Sequence, residues 1–220
     1  MNWPFSLNTT NKPLEERDGR RVLCLILSGN APSKLRRSII PIQPKSVNTQ
    51  KGFIFTDNVV VKLHSGITPR GAGKSTGRAT LTGFAEVKDV IAVCRWLVQE
   101  FEVDRILLVG SSAGKVSMRS AVEQVEQVVG YVSLGYPFGL LASVLFGRHH
   151  KAILSSLKPK LFVMGTRDGF TSVSQLKKKL KSAAGSTETH LIEGVSHFQM
   201  EGPEYDSQMA DVICNFISSL

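Results

Sequence analysis

Three residues of the sequence carry the side chains needed for nucleophilic acyl transfer, in the chain order serine, aspartate, histidine. Ser112 lies in Gly110–Gly114, which has the pattern Gly-x-Ser-x-Gly. Glycines at those positions allow a serine on a cramped strand-to-helix turn, where larger side chains would collide with neighbouring backbone. Asp168 and His197 follow further along the chain. The predicted chemistry is attack by the Ser112 hydroxyl, with His197 as base and Asp168 orienting its ring.

The same glycine-serine pattern occurs a second time, at Gly73–Gly77. The residues before it do not resemble a strand, and those after it do not resemble the start of a helix. This segment also resembles the end of a phosphate-binding loop, but that motif requires a glycine where the chain has Thr68. Nucleotide binding is therefore not expected, and the context favours Ser112 as the nucleophile.

Apolar runs predict the strands that would position these residues. Ser112, Asp168 and His197 each follow such a run, and ligands of parallel sheets bind beyond the carboxyl ends of the strands. The predicted strands are Val22–Leu27, Phe53–Leu63 with a bend at Asp57–Asn58, Arg105–Val109, Val128–Leu134, Leu161–Met164 and Thr189–Ile192. Helical periodicity predicts helices at Phe84–Phe101, through Val116, Val122 and Val125, at Ser172–Ala183 and at Tyr205–Leu220.

The alternation of strands and helices predicts an α/β fold. Short connections between them favour a mostly parallel sheet with helices on both faces, in three layers. A chain of 220 residues can bury one substantial core, so residues 1–220 are expected to form one domain.

Each candidate also has an ordinary structural role when taken alone. Asp168 is a suitable cap for the helix near Ser172, and His197 is a suitable surface-loop residue. The other histidines are weaker candidates, because His190 lies inside a predicted strand and His149–His150 lies in a basic stretch away from strand ends. Histidines, cysteines and carboxylates show no metal-ligand spacing, so neither a metal nor another cofactor is expected.

The net charge of +9 raises the alternative of an acidic partner. The basic residues are scattered over Lys34–Arg37, Arg148–Lys151 and Lys177–Lys181, without interleaved aromatic side chains. Solvated helix faces account for this pattern better than a nucleic-acid surface, so nucleic acid is not an expected partner.

Cysteine usage and the apolar segments bear on location. Cys24, Cys94 and Cys214 lie in apolar segments without a Cys-x-x-Cys motif, as buried thiols of a reducing compartment do. Met1–Asn11 lacks the pattern of a secretory signal, and the uncharged run Gly130–Gly147 is too broken for a membrane span. An intracellular location is expected, in the cytoplasm or the nucleus.

Four motifs together resemble the landmarks of the α/β-hydrolase superfamily, in the usual order. The resemblance runs from about Arg70 to Leu220, and is strongest to small plant α/β-hydrolase proteins. These are similar to the testis-expressed-30 proteins and to the hydrolase-like subunit of the NSL histone acetyltransferase complex, and more distantly to dienelactone-hydrolase-like enzymes. The motifs are Arg70–Ser75, Gly110–Gly114, Gly165–Asp168 and Gly194–His197.

This resemblance implies Ser112, Asp168 and His197 as a catalytic triad and the backbone N–H of Ala113 as an oxyanion donor. A second donor is implied in the turn after the first buried strand, where Gly29 is the candidate. Residues 31–66 do not resemble the family, and an altered splice or reading frame would account for that.

Two functions remain open at this point. The first is a serine hydrolase that cleaves a carboxylic ester or thioester of a small acyl substrate through an acyl-enzyme. The second is a catalytically weak or inactive hydrolase-fold module that binds a protein partner, suggested by residues 31–66 and the positive charge. The apolar stretch Tyr136–Phe146 fits either an acyl pocket or a buried helix.

Overall fold

The structure is a computed structural model that describes residues 21–28, 51–56, 59–65, 84–101, 104–111, 121–139, 150–200 and 203–220. Several sequence predictions fall outside these ranges. They concern the nucleophile and oxyanion donors Ser112, Ala113 and Gly29, the segments Lys34–Arg37 and Arg70–Gly77, and residues 140–149 with His149.

Within the described residues, seven strands form one sheet. Their bounds are β1 Arg21–Ser28, β2 Lys51–Thr56, β3 Val59–Ser65, β4 Arg105–Ser111, β5 Val128–Leu134, β6 Lys160–Gly165 and β7 Thr187–Ile192. The order across the sheet is β2-β3-β1-β4-β5-β6-β7. Every neighbouring pair is parallel except β2 and β3. The prediction of a mostly parallel sheet is confirmed.

The prediction of one strand at Phe53–Leu63, bent at Asp57–Asn58, is wrong in the number of strands. The chain forms two antiparallel strands there, β2 and β3, and Thr56 pairs with Val59 across them. Asp57 and Asn58 separate the two strands in the sequence. Aspartate and asparagine favour tight turns, so two antiparallel strands form where the sequence suggested a bend within one strand.

Residues 121–122 and 150–155 are helical, and four further helices, with both ends described, accompany the sheet. Their bounds are α1 Phe84–Phe101, α2 Val173–Leu180, α3 His197–Met200 and α4 Asp206–Ser218. Helix α2 begins after Ser172, whose hydroxyl accepts a hydrogen bond from the Gln175 N–H at 3.2 Å. The Gln175 side chain accepts one from the Ser172 N–H at 2.9 Å, which completes a capping box.

The predicted helix through Val116, Val122 and Val125 is only partly described, and its end is wrong. Helical structure covers residues 121–122, and the chain turns from residue 123 onward. The Gln124 N–H donates to the Ala121 carbonyl at 3.0 Å. Val125 is buried, but it belongs to this turn because the chain must reverse before β5 begins.

The sheet separates two apolar clusters, and β4 contributes alternate residues to each. Ile106 and Leu108 pack in the cluster that contains residues of α1 and α2. Leu107 and Val109 pack in the cluster that contains residues of α4. Successive strand residues point to opposite faces, so helices cover both faces of the sheet. The predicted three-layer architecture is confirmed.

A buried lysine ties the start of β6 to neighbouring loops. Lys160 is fully buried, and its Nζ donates to the Ser156 carbonyl at 2.8 Å and also to the Ala184 carbonyl. Burial lowers the pKa of Lys160, and the charge of Glu123 opposes that shift. The amino group therefore satisfies two backbone acceptors near the amino end of β6, whereas the predicted site lies at the carboxyl ends of the strands.

The predicted burial of the cysteines is met by the two whose side chains are described. Cys94 and Cys214 are free and buried, and burial raises the pKa of the Cys94 thiol to about 12. The side chain of Cys24 lies outside the description. No described helix has the length and apolar character that a membrane span requires.

Candidate active site

The predicted site residues follow parallel strands, whose carboxyl ends lie at the same end of the sheet. Strand β4 ends at Ser111, directly before Ser112 in the sequence, and β1 ends at Ser28, directly before Gly29. Ser28 and Ser111 are partners in the parallel register of these strands. After β1 the chain continues to β2 and β3, which lie on one side of the adjacent pair β1 and β4 in the strand order. After β4 it continues to β5, which lies on the other side of that pair. Such a switch point is where open α/β sheets bind ligands.

Asp168 is buried in the loop after β6, and its carboxylate accepts three hydrogen bonds. Oδ1 accepts from the backbone N–H of Phe170 at 2.7 Å and of Thr171 at 3.0 Å. Oδ2 lies 2.6 Å from His197 Nδ1. Burial raises the pKa of Asp168, but the hydrogen bonds from His197 and Phe170 outweigh burial and hold that pKa below its usual value.

Backbone hydrogen bonds join the loop that carries Asp168 to the loop that carries His197. The Thr166 N–H donates to the Ile192 carbonyl at 2.9 Å, and the Arg167 N–H donates to the Val195 carbonyl at 2.9 Å. The Gly194 N–H donates to Thr166 Oγ1 at 2.9 Å. The relative position of the carboxylate and the imidazole is therefore set by backbone contacts between the two loops.

His197 is the first residue of the short helix α3 and is 3% exposed. The helix starts with reciprocal hydrogen bonds between Ser196 and Gln199. Ser196 Oγ accepts from the Gln199 N–H at 3.4 Å, and Gln199 Oε1 accepts from the Ser196 N–H at 3.0 Å. This capping arrangement directs the chain so that the imidazole faces Asp168.

The imidazole lies on Gly135, which follows β5 directly. A Cβ at Gly135 would stand 2.9 Å from His197 Cε1 and 3.0 Å from His197 Nδ1. It would also stand 2.9 Å from the Met200 methyl carbon. Gly135 has a φ of +64°, which disfavours any residue with a Cβ. Sequence reasoning missed this residue, and its only signal is a glycine immediately after a predicted strand.

Thr171 joins the loop of Asp168 to the segment after β5, and sequence reasoning missed it as well. Its hydroxyl donates to the Tyr136 carbonyl at 2.6 Å and accepts from the Phe138 N–H at 2.7 Å. Tyr136 and Phe138 are buried and irregular in conformation. A buried helix is thus wrong for this part of Tyr136–Phe146, and the remainder lies outside the described residues.

His190 and His150 are the other histidines whose side chains the structure describes. His190 is inside β7, as predicted. The prediction that His150 lies in a solvated stretch away from strand ends is wrong, because its side chain is buried against Tyr136 and Phe138. The ring centroids are 5.4 Å and 5.2 Å away, respectively. Lys151, the next residue, is exposed.

The described residues thus bring two of the predicted side chains together, the Asp168 carboxylate and the His197 imidazole. A carboxylate that accepts the Nδ1 proton favours the tautomer in which Nε2 is the basic nitrogen. Such a pair can accept a proton from a nearby hydroxyl group. In the part of the chain that the structure describes, no group of three or more His, Cys, Asp or Glu is arranged to hold a metal ion.

The fold and this carboxylate-imidazole pair define an α/β protein of the hydrolase type. A family model described as alpha/beta hydrolase domain matches residues 84–217, which is more than half of the chain. The chain therefore belongs to the α/β-hydrolase family. No curated protein sequence matches it significantly.

Three similar solved structures agree with this assignment. An alpha-beta serine hydrolase homologue from Coxiella burnetii is 19% identical with a TM-score of 0.60, over 90% of this chain and 85% of that one. An esterase from Pyrococcus furiosus is 16% identical with a TM-score of 0.62, over 90% and 81%. A monoacylglycerol lipase from Paleococcus ferrophilus is 16% identical with a TM-score of 0.58, over 90% and 94%. At these identities the likeness shows the fold alone.

Proposed function

We propose that this protein is a serine hydrolase that cleaves a carboxylic ester or thioester of a small acyl substrate. Ser112 is the nucleophile, His197 the general base and Asp168 the residue that orients the imidazole. The backbone N–H groups of Ala113 and Gly29 are the oxyanion donors.

The observation that carries this proposal is the position of the imidazole relative to β4. His197 lies on Gly135, the residue after Leu134, and Leu134 is the register partner of Ser111. Neighbouring strands lie about 4.8 Å apart. Ser112 follows Ser111 directly in the sequence. We therefore expect its side chain to reach the imidazole from the neighbouring strand end and to form a hydrogen bond of about 2.6–3.2 Å.

The proposed reaction proceeds through an acyl-enzyme. His197 accepts the Ser112 hydroxyl proton while the serine oxygen forms a bond to the acyl carbon. The imidazolium then donates that proton to the leaving alcohol or thiol as the bond between the acyl carbon and the leaving atom breaks. Water attacks the acyl-enzyme with His197 again as base, and the acid and Ser112 are released. Asp168 stabilises the imidazolium through its hydrogen bond at Nδ1.

The strand register also supports the proposed oxyanion donors. Gly29 and Ser112 each come directly after one of two register partners, Ser28 and Ser111. We therefore expect the Gly29 backbone N–H to lie beside the segment that contains Ser112 and Ala113. Each oxyanion donor contributes about 3–4 kcal/mol to lowering the barrier, so replacing Gly29 by proline, which has no N–H, is expected to slow acylation strongly.

The finer classification and the organisation of the chain are also part of this proposal. The motif resemblance supports a place among the small plant α/β-hydrolase proteins and their testis-expressed-30 relatives, with residues 1–220 as one domain. The substrate is taken from an intracellular pool, in the cytoplasm or the nucleus.

A fluorophosphonate probe tests the proposal, because it labels serines activated by a neighbouring base. Wild type is expected to be labelled at one site, and both Ser112→Ala and His197→Gln are expected to lose the label. The matched control is Ser75→Ala, which alters the second Gly-x-Ser-x-Gly match and is expected to react like wild type. Hydrolysis of p-nitrophenyl acetate should follow the same order.

Two outcomes count against the enzyme. Equal labelling of wild type and Ser112→Ala would remove the assigned nucleophile. Absence of any labelling, together with a stoichiometric protein partner that is retained by Ser112→Ala, would favour the interaction module instead.

A further inference from the structure

Two exposed phenylalanine side chains lie against the imidazole of His197. Phe170 is 50% exposed and Phe198 is 72% exposed. Their ring centroids are 4.7 Å and 5.5 Å from that of His197, and 5.8 Å from each other. Among the side chains whose burial the structure describes, Leu157 is the one other large hydrophobic one that is exposed. Apolar exposure in this part of the molecule is therefore concentrated beside the imidazole.

The hydrogen bonds of the Asp168 carboxylate, including the one to His197, do not involve either phenyl ring. Phe170 contributes its backbone N–H to the Asp168 carboxylate, which any residue except proline would also provide. Phe198 is the second residue of α3, and the cap of that helix is formed by Ser196 and Gln199. Exposed aromatic rings gain free energy when another apolar group covers them. The rings are thus available to contact a ligand beside the imidazole.

The mechanism indicates which part of a substrate would cover them. In the acylation step the imidazolium delivers its proton to the leaving alcohol oxygen, so the alcohol portion departs past His197. Groups that contact the imidazole from the surface therefore contact the leaving group. The acyl portion, by contrast, is bonded to Ser112 and remains behind.

We infer that Phe170 and Phe198 bind the alcohol portion of the substrate, and that the preferred substrates are esters of apolar, ring-bearing alcohols. This inference rests on the proposed function. The ring planes of Phe170 and Phe198 meet each other at 81°, and those of His197 and Phe198 at 85°. An aromatic ring that enters this corner can meet one phenyl edge-to-face while it packs flat against the other, which are favourable aromatic geometries.

Two acetate esters isolate the alcohol portion. Benzyl acetate and ethyl acetate form the same acetyl-enzyme, so the ratio of their kcat/KM values compares acylation with two different alcohols. The two alcohols have similar leaving ability, and the ratio cancels any general loss of nucleophile or of folded protein. Wild type is expected to prefer benzyl acetate by about 10-fold or more.

Phe170→Ala and Phe198→Ala are each expected to reduce this ratio about 3- to 10-fold, mainly through a higher KM for benzyl acetate. The matched control is Leu157→Ala, which truncates an exposed apolar side chain elsewhere and should leave the ratio unchanged. An unchanged ratio in the Phe170→Ala, Phe198→Ala double variant would overturn the inference while hydrolysis itself upheld the proposed function.

A binding measurement covers the opposite case, in which the apolar site exists but the proposed hydrolase activity does not. Benzyl alcohol titrated into the protein is expected to shift the NMR signal of the His197 ring, and the double variant should lose that shift. Such binding without hydrolysis of any ester would sustain the apolar site and reject the hydrolase. A wild-type dimer that becomes monomeric in the double variant would instead make the two rings a surface for self-association, and the inference would fail.

Discussion

Gly135→Ala is the substitution that tests most directly whether the imidazole depends on its contact with the end of β5. The added methyl group would stand 2.9 Å from His197 Cε1 and 2.9 Å from the Met200 methyl carbon. Ordinary contact between carbon atoms is about 3.5 Å, so the ring or the backbone must move by about half an ångström. Met200 can shift because its side chain is flexible, whereas the imidazole is held by Asp168.

The expected magnitudes follow from two separate costs. A residue with a Cβ at a φ of +64° loses about 1–2 kcal/mol. Overpacking against the buried ring adds about 1–3 kcal/mol. The free energy of unfolding, measured in urea, is therefore expected to fall by about 2–5 kcal/mol. Displacement of the base should slow fluorophosphonate labelling of Ser112 by about 10- to 100-fold at a temperature where the variant is folded.

Two other glycines provide matched controls. Gly194 has a φ of +73°, and a Cβ there would meet nothing within 4 Å, so Gly194→Ala isolates the backbone cost. Gly185 has a φ of +67°, and its Cβ would meet the Leu157 carbonyl oxygen. Gly185→Ala should thus lose stability through strain and collision together. It lies before β7, away from the imidazole, so its folded fraction should react at the wild-type rate.

The reasoning is refuted if Gly135→Ala loses only as much stability as Gly194→Ala and reacts with the probe at the wild-type rate. That result would mean that the imidazole does not lie on Gly135. Loss of stability with an unchanged labelling rate would mean that Met200 alone relieves the collision.

Three further substitutions have expected outcomes. Asp168→Asn should slow acylation by about three to four orders of magnitude, because an amide favours the wrong imidazole tautomer. The pKa of Asp168 is lowered in the folded protein, so its ionised form stabilises the fold above about pH 3.9, the pKa of an unfolded aspartate. The difference in free energy of unfolding between wild type and Asp168→Asn should therefore shrink as the pH falls through the folded-state pKa of Asp168. Lys160→Met should lower the free energy of unfolding by about 1–3 kcal/mol, since two backbone carbonyls lose their donor. Burial lowers the pKa of Lys160, so wild type, unlike this variant, should gain stability as pH rises from that lowered value towards about 10.4. Ser172→Ala should cost about 1 kcal/mol in urea unfolding without changing the labelling rate, because it removes one cap hydrogen bond.

The elements of the fold were largely predictable because their signals are local. The helix predicted at Phe84–Phe101 has the same bounds in the structure, and so has the strand Val128–Leu134. Both depend on the spacing of apolar residues within a short window, which directly reflects the period of a helix or strand. Phe53–Leu63 was wrong as one bent strand, because an Asp-Asn pair inside an apolar run fits either a bend or a chain reversal, and only the strand pairing decides between them.

The burial of individual polar groups was harder to predict from the sequence. His150 lies among charged residues in the sequence, and its burial depends on Tyr136 and Phe138 from another segment. The position of Lys160 at the start of a strand gives no indication in the sequence that its side chain is buried. It is fully buried, because the carbonyls of Ser156 and Ala184 accept hydrogen bonds from its amino group. Both outcomes depend on partners that local composition does not reveal.

The sequence by itself determined that Ser112, Asp168 and His197 each follow a strand, and that these strands belong to a mostly parallel sheet covered on both faces. Tertiary structure alone decided that the Asp168 carboxylate meets the His197 imidazole, that Gly135 lies beneath that ring, and that two phenylalanines flank it. The physical reason is that strand and helix periods are properties of neighbouring residues. A contact between loops depends on strand order, register and backbone hydrogen bonds between distant segments, which exist only once the sheet has assembled.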